Sequence, residues 1–299
     1  MTIHFLNTKP SKRNEIGHNF DPSILENISV TKPYFALFNL NCSGEYIYAD
    51  FTTELTDIDE EGPIGSAEVG RHMAILGSVV LAKENPKKER HHYLATDAKI
   101  TRCSSKTSED YTLTCRAKMV FINRKKGVVE GEIFDHDGTV LFKIEVTYMI
   151  LGKMIFERMF AQNQMETIFD MDFNPYKSDA KFVEQKIDVK SCYASIGAVT
   201  KEDCPGHFNN FPALPVARLG TSIGKIGGLH FMHLNPSDKK KYLISNVELH
   251  ARQLIFVGDE IKFRTEIVDP NPEKGMIIRI VAYSDNCDFI AEAIINYHY

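Results

Sequence analysis

One histidine in this chain sits where imidazole chemistry would be useful. His207 lies in Gly206-His-Phe-Asn-Asn-Phe-Pro-Ala-Leu-Pro215-Val-Ala, a proline-punctuated loop that runs straight into an apolar, glycine-rich helical segment. A neutral imidazole near pH 7 is matched to taking a proton from carbon. Backbone N–H groups at the start of a helix are suited to holding a developing oxyanion. A second pair stands far away in sequence, in Glu68-Val-Gly-Arg-His72. Residues at i and i+4 share one helical face, so His72 can orient Glu68. A carboxyl on a mainly apolar helix is disfavoured as an anion by desolvation and can hold or relay a proton. Arg71, at i+3 from Glu68, reads as a surface or carboxylate-pairing arginine. His91-His92, and His230 with His233, lack the further ligands a metal site needs, and no cofactor is implied.

The elements that carry these residues repeat. Tyr34 to Phe51 is aromatic and contains a Cys-Ser-Gly turn, which suits a strand pair. Ile64–Lys83 reads as one buried helix, with Pro63 where it would begin. Four strand-like segments follow between His91 and Leu151, with a tight-hairpin signal at Asp137-Gly138. A helical turn or two (Lys153–Gln164) and a polar connector lead to a strand at Val189–Val199. Then come a helix over Pro212–Phe231 and four more strands to the end. A strand, a long helix and four strands thus occur twice, an internal duplication that predicts a pseudo-dimer of α+β class. The predicted organisation is an arm over 1–33, a first domain over 34–165, a linker over 166–187 and a second domain over 188–299.

Composition narrows the function class. The 299 residues are 43% hydrophobic and 25% charged, ordinary for a globular protein and enough for two cores. Thirty-five basic against forty acidic residues leave a charge of −5, which argues against a phosphate-backbone binder. No apolar run reaches the ~20 residues of a membrane span. The N-terminus lacks an apolar secretory core and the six cysteines are scattered, so the expectation is a cytoplasmic protein with reduced thiols. The run Asp57, Asp59, Glu60, Glu61 reads as a solvated loop, and its place just before the first helix would also let it line a pocket mouth. Lys87-Lys88-Glu89-Arg90 and Lys239-Lys240-Lys241 read as exposed loops able to receive an acidic partner.

The His207 segment resembles the His-Phe-Pro-Gly-x-Pro-x-Met-Pro-Gly signature of hot-dog-fold 3-hydroxyacyl-ACP dehydratases, through His207, Phe208, Pro212, Leu214 and Pro215. Arg252–Lys262 is similar to that family's Pro-Gly-Asp strand turn, and FIAEAIINY to its last strand. The resemblance covers most of 188–299 and extends through the repeated plan to 34–151. It implies a double hot dog, two antiparallel sheets each wrapped around a long helix. Where the family helix carries an acid fourteen residues after the histidine, this chain has Thr221, while the first half has Glu68 and no loop histidine. Counted from the helix proline, Glu68 falls one residue before the family acid. The resemblance therefore implies one composite site per chain, with His207 as base, Glu68 as acid, His72 in support and Val216 N–H on the thioester carbonyl. Phe208, Phe211, Pro215 and Gly220 would line the substrate. The expected activity is dehydration or hydration of 3-hydroxyacyl thioesters carried by acyl carrier protein or CoA, in fatty-acid or polyketide-type metabolism. The alternatives are a hot-dog acyl thioesterase, in which the helix carboxylate, here Glu68, would activate or position water, or a non-catalytic acyl-binding subunit. A two-hot-dog chain already buries the usual dimer contact, so either a monomeric pseudo-dimer or a homodimer fits.

Overall fold

The computed structural model describes residues 18–55, 59–105, 111–166, 173–270 and 275–299. The first half holds β1 (His18–Asn19), β2 (Phe38–Ser43), β3 (Tyr46–Thr52), helix α1 (Ser66–Glu84), β4 (His91–Arg102), β5 (Thr112–Ile122), β6 (Lys126–Phe134), β7 (Val140–Gly152) and a short α2 (Lys153–Met159). The second holds β8 (Glu184–Ile187), β9 (Cys192–Ala198), α3 (Val216–Leu234), β10 (Leu243–Ala251), β11 (Glu260–Asp269), β12 (Met276–Ser284) and β13 (Phe289–His298). The strands form one antiparallel sheet ordered β1-β2-β3-β5-β6-β7-β4-β10-β13-β12-β11-β9-β8. From β2 to β4 the order mirrors that from β8 to β10. The halves meet where β4 pairs with β10, with Ile100 opposite Val247 and Asp97 opposite His250.

The repeated pattern of strands and helices read from the sequence is therefore present twice. Alternation along β7 and β12 buries every second side chain, and the buried faces close on the two long helices. α1 is apolar almost all round and buried almost all round, from Ser66 to Ala82. Two features depart from expectation. β8 forms inside the polar connector, where edge pairing with β9 needs no apolar pattern. The described part of the arm is tied down: Val30 bridges to His207, Thr31 N–H donates to Gly206 O at 2.8 Å, and Tyr34 is buried.

Glycine lets each helix lie flush on the sheet. A Cβ on Gly77 would stand 2.0 Å from the Tyr148 hydroxyl, and one on Gly227 would stand 2.1 Å from the Tyr297 hydroxyl. Tyr148 donates to Ala74 O at 3.0 Å, and Tyr297 donates to Gly224 O at 3.1 Å. These matched contacts fix the correspondence of the halves at 150 residues along the helices: Ser66 with Val216, Glu68 with Arg218, Arg71 with Thr221, and Ser78 with Gly228. Gly77→Ala should cost about 1–3 kcal/mol of stability through overpacking. Adding Tyr148→Phe should return part of it in thermal unfolding, because the clashing hydroxyl is gone.

Candidate functional site

The loop before α3 builds its histidine with care. Gly206 adopts φ +78° and has no room for a side chain, since a Cβ would meet Thr31 O at 2.3 Å. Phe208 takes φ +58°, a conformation costing a bulky residue about 1–3 kcal/mol. Its buried ring, stacked on His207 at 3.9 Å, holds it there. Ala213 bridges to Phe256, and Leu214 N–H donates to Ile255 O at 2.7 Å, which anchors the loop as it turns into α3. His207 is 8% exposed, and its Nδ1 lies 2.8 Å from Ala213 O. A carbonyl only accepts, so Nδ1 carries the proton and the lone pair is on Nε2. Nε2 has no hydrogen-bond partner among the described residues. Burial pushes the imidazole down to about 4 against the opposing pull of Ala213 O, so His207 is neutral at pH 7.

His207 and Phe208 open on a cavity of about 460 Å³, together with Val216 at the start of α3, Tyr93 and Leu94 of β4, Ala74, Ile75 and Ser78 of α1, and Leu254. The Val216 N–H, at the first helical position, has no acceptor among the described residues. A second, larger cavity of about 960 Å³, counting its open mouth, runs between α1 and α3 over β4 and β10. Its walls are mostly apolar and include Gly70, Gly220 and Gly224. Ala74, Ala95 and Val216 line both spaces, so the two adjoin.

The structure puts the two residues expected to pair, His207 and Glu68, on adjoining cavities. Glu68 faces the larger cavity rather than the one that holds His207. It is buried, and its carboxylate accepts from Glu54 N–H at 2.7 Å and Leu55 N–H at 3.2 Å. The offset is also larger than counting from the proline implies. α1 starts only after Gly65, its N-cap, whereas Pro215 is itself the N-cap of α3. Glu68 therefore lies three residues before the family acid position, which in the first half is Arg71. Arg71 pairs with Glu54 at 2.5 Å, donates to Tyr34 O at 3.1 Å, and so supports the Tyr34 ring that meets His207 edge-on at 5.0 Å. It is buried rather than on the surface and does not pair with Glu68.

His72 lines neither cavity. It is fully buried, stacked on Phe51 at 4.0 Å and 3.4 Å from Glu68 Oε1, and burial lowers its pKa. It packs and reaches neither cavity. Phe211 belongs to an aromatic cluster behind the loop, 5.5 Å from Phe156, and Pro215 is a buried helix cap; neither lines the His207 cavity. Gly220 lines the larger cavity, with open contact to Ala67. Val216 and Phe208 share the cavity of His207.

The first half treats its helix start differently. Ser66, the counterpart of Val216, donates its N–H to both Glu60 carboxylate oxygens at 3.0 Å, and Arg102 pairs with Glu60 at 2.5 Å. Glu60 is 8% exposed, so this member of the acidic run is not solvated; Asp57 lies outside the described residues. The anion-binding end of α1 is thus filled by the chain's own carboxylate, while that of α3 is open. Sequence reasoning missed Tyr93, Ser78 and the part Glu60 takes in closing the start of α1. The signal for Ser78 was available as the contrast Gly77-Ser78 against Gly227-Gly228.

His92 and His230 are taken up by packing. His92 stacks on Phe156 at 3.6 Å and 2°, and His230 Nδ1 lies 2.8 Å from Thr265 Oγ1. Burial, with the His207 charge behind it, lowers His92 to about 3. An unfolded chain protonates histidine near 6.5, but these folded imidazoles resist until about 4 and 3, so the unfolded state binds more protons in that window. Stability should therefore be full above pH 6.5 and fall as pH drops below it. His92→Phe, which keeps the stacked ring, should make the fall of the unfolding temperature between pH 6.5 and 4 shallower.

No protein-family model matches the chain, and no curated protein matches it in sequence. Solved structures do match. An acyl-ACP thioesterase from Bacteroides thetaiotaomicron superposes with a TM-score of 0.56 at 11% identity, over 85% of this chain and 98% of that one. A putative oleoyl thioesterase from Lactobacillus plantarum gives 0.58 at 10%, over 85% and 96%. A conserved protein with a hot dog fold from Alicyclobacillus acidocaldarius gives 0.51 at 11%, over 90% and 98%. At such identities the likeness speaks for architecture, and it agrees with the two helix-and-sheet halves joined at β4 and β10: the chain is a double hot dog.

Proposed function

We propose that this protein hydrolyses acyl thioesters carried by acyl carrier protein or CoA, with the thioester carbonyl at the His207 cavity and the acyl chain in the adjoining apolar space. The observation that carries the reading is the make-up of that cavity. A neutral imidazole with a free Nε2 and a helix start with a free N–H line it, and no carboxylate does among the described residues. Both reactions need a base and then an acid. One imidazole can do both for hydrolysis, whereas the dehydratases this loop resembles set a helix carboxyl beside the histidine, and this cavity has none among the described residues. The fold neighbours named as thioesterases support the same choice.

The chemistry follows from the groups present. Water bound at Nε2 gives its proton to His207 as its oxygen adds to the carbonyl carbon. The carbonyl π electrons move to oxygen, where the Val216 N–H and the α3 dipole stabilise the charge. Collapse of the tetrahedral intermediate reforms C=O and breaks C–S, and Nε2–H protonates the leaving sulfur. The products are a carboxylic acid and a thiol.

The His-Phe-x-x-x-Pro-x-Leu-Pro loop favours a second reading, the 3-hydroxyacyl dehydratase, in which His207 takes the C2 proton and Glu68 works from the adjoining cavity. Mass spectrometry of the purified protein with saturated, 3-hydroxyacyl and trans-2-enoyl thioesters separates the two. Thiol release from all three is expected; interconversion of the last two without thiol release establishes the dehydratase. Acyl-thioester binding without turnover supports a binding subunit. His207→Ala should lower turnover about 10²–10⁴-fold. With His207 near 4, the acid limb of kcat/KM should fall close to pH 4 rather than 6.5.

A further inference from the structure

The two halves differ at one helical position whose consequence reaches the candidate site. In the second half, the ring of Tyr242 lies directly over Gly228: a Cβ there would stand 2.1 Å from Tyr242 Cε1. Tyr242 spends its hydroxyl proton on the α3 backbone, donating to Gly224 O at 3.4 Å. The corresponding tyrosine of the first half is Tyr93. The correspondence follows from the register, since Ala95 faces Tyr148 across β4 and β7 as Ile244 faces Tyr297 across β10 and β13. Opposite Tyr93, however, α1 carries Ser78 instead of glycine. A ring placed as Tyr242 is would meet the Ser78 Cβ, as a Cβ on Gly228 would meet Tyr242, and the Ser78 hydroxyl turns back to Ile75 O at 2.7 Å.

Tyr93 lines the His207 cavity, with its hydroxyl at Asn85, the C-cap of α1, rather than on a carbonyl of the helix interior. Its oxygen accepts from Asn85 Nδ2 at 3.2 Å, and its own proton has no acceptor among the described residues. A phenol that is 8% exposed, lines the cavity, and has a donor on its oxygen and an unspent proton is a preorganised hydrogen-bond donor. Burial raises Tyr93, with Asn85 pulling the other way, so the proton stays on the phenol at neutral pH.

We propose that Tyr93 is a catalytic residue, the second donor to the thioester oxygen, which completes with the Val216 N–H a two-donor cradle opposite His207. The assignment rests on the thioester reading above. Tyr93 keeps its proton throughout: its O–H bond shortens onto the oxyanion as the carbonyl π electrons arrive and relaxes when C=O reforms.

The test is Tyr93→Phe in the full chain, which deletes the donor and keeps the ring. Steady-state hydrolysis is read beside the binding of two acyl pantetheine analogues, a trifluoromethyl ketone that becomes tetrahedral and an amide that keeps a planar carbonyl. The expected result is a loss of ~10²-fold in kcat with KM little changed. Affinity for the ketone should fall by a similar factor while affinity for the amide is retained. Turnover within about twofold of wild type, or equal loss of both analogues, makes Tyr93 a packing residue and overturns the assignment. If the wild-type protein itself releases no thiol, the hydrolase reading falls; normal release by the variant leaves that reading standing and removes only the tyrosine.

Discussion

Each central helix rests on the sheet through a glycine covered by a tyrosine ring. Without a Cβ at Gly77 and Gly227, the hydroxyls of Tyr148 and Tyr297 reach carbonyls in the turn before and tie helix to strand. That close approach sets the depth of both helices. It therefore sets where α1 presents Ala74 and Ser78 and where α3 presents its first N–H. Packing here is not a background to the site but the ruler by which its parts are placed.

On this symmetric frame, function is distributed unequally. The loop before α3 bears the constrained Gly206 and Phe208 that hold His207 against its carbonyl partner, and the following helix start is left open. The equivalent end of α1 is closed by Glu60 and Arg102. Neutralising a helix terminus with a paired carboxylate satisfies groups that would otherwise be buried without partners. The polar requirements of the first half are thus met internally, and those of the second are left for something that enters the cavity.

Much of the architecture was legible in the residues. Alternating strands, two buried apolar helices and the tight turn at Asp137-Gly138 all carry local signals that packing reinforces. β8 carries none, since an edge strand needs only backbone partners. The start of α1 was misjudged because Ile64 and Gly65 intervene between Pro63 and the helix, and that error carried Glu68 to the wrong place on its face. His207, Phe208 and Val216 could be found because a loop and a helix start are adjacent in sequence. Tyr93 could not: a tyrosine in a buried strand looks like core, and only comparison with Tyr242 reveals that its hydroxyl is differently used. Glu60 was hidden for the converse reason, as an acid among acids is taken for solvated until Arg102, on the distant strand β4, is seen beside it.

The pair Ser78 and Gly228 shows what joining two hot dogs in one chain makes possible. In an assembly of two identical subunits every substitution is written twice, so a serine that frees one tyrosine would free its image as well, and a carboxylate that closes one helix start would close both. A single chain holding both halves escapes that duplication. Each side of the two-fold can be altered without its reflection, and opposite solutions, one sealed and one open, can stand a few residues apart across the same seam.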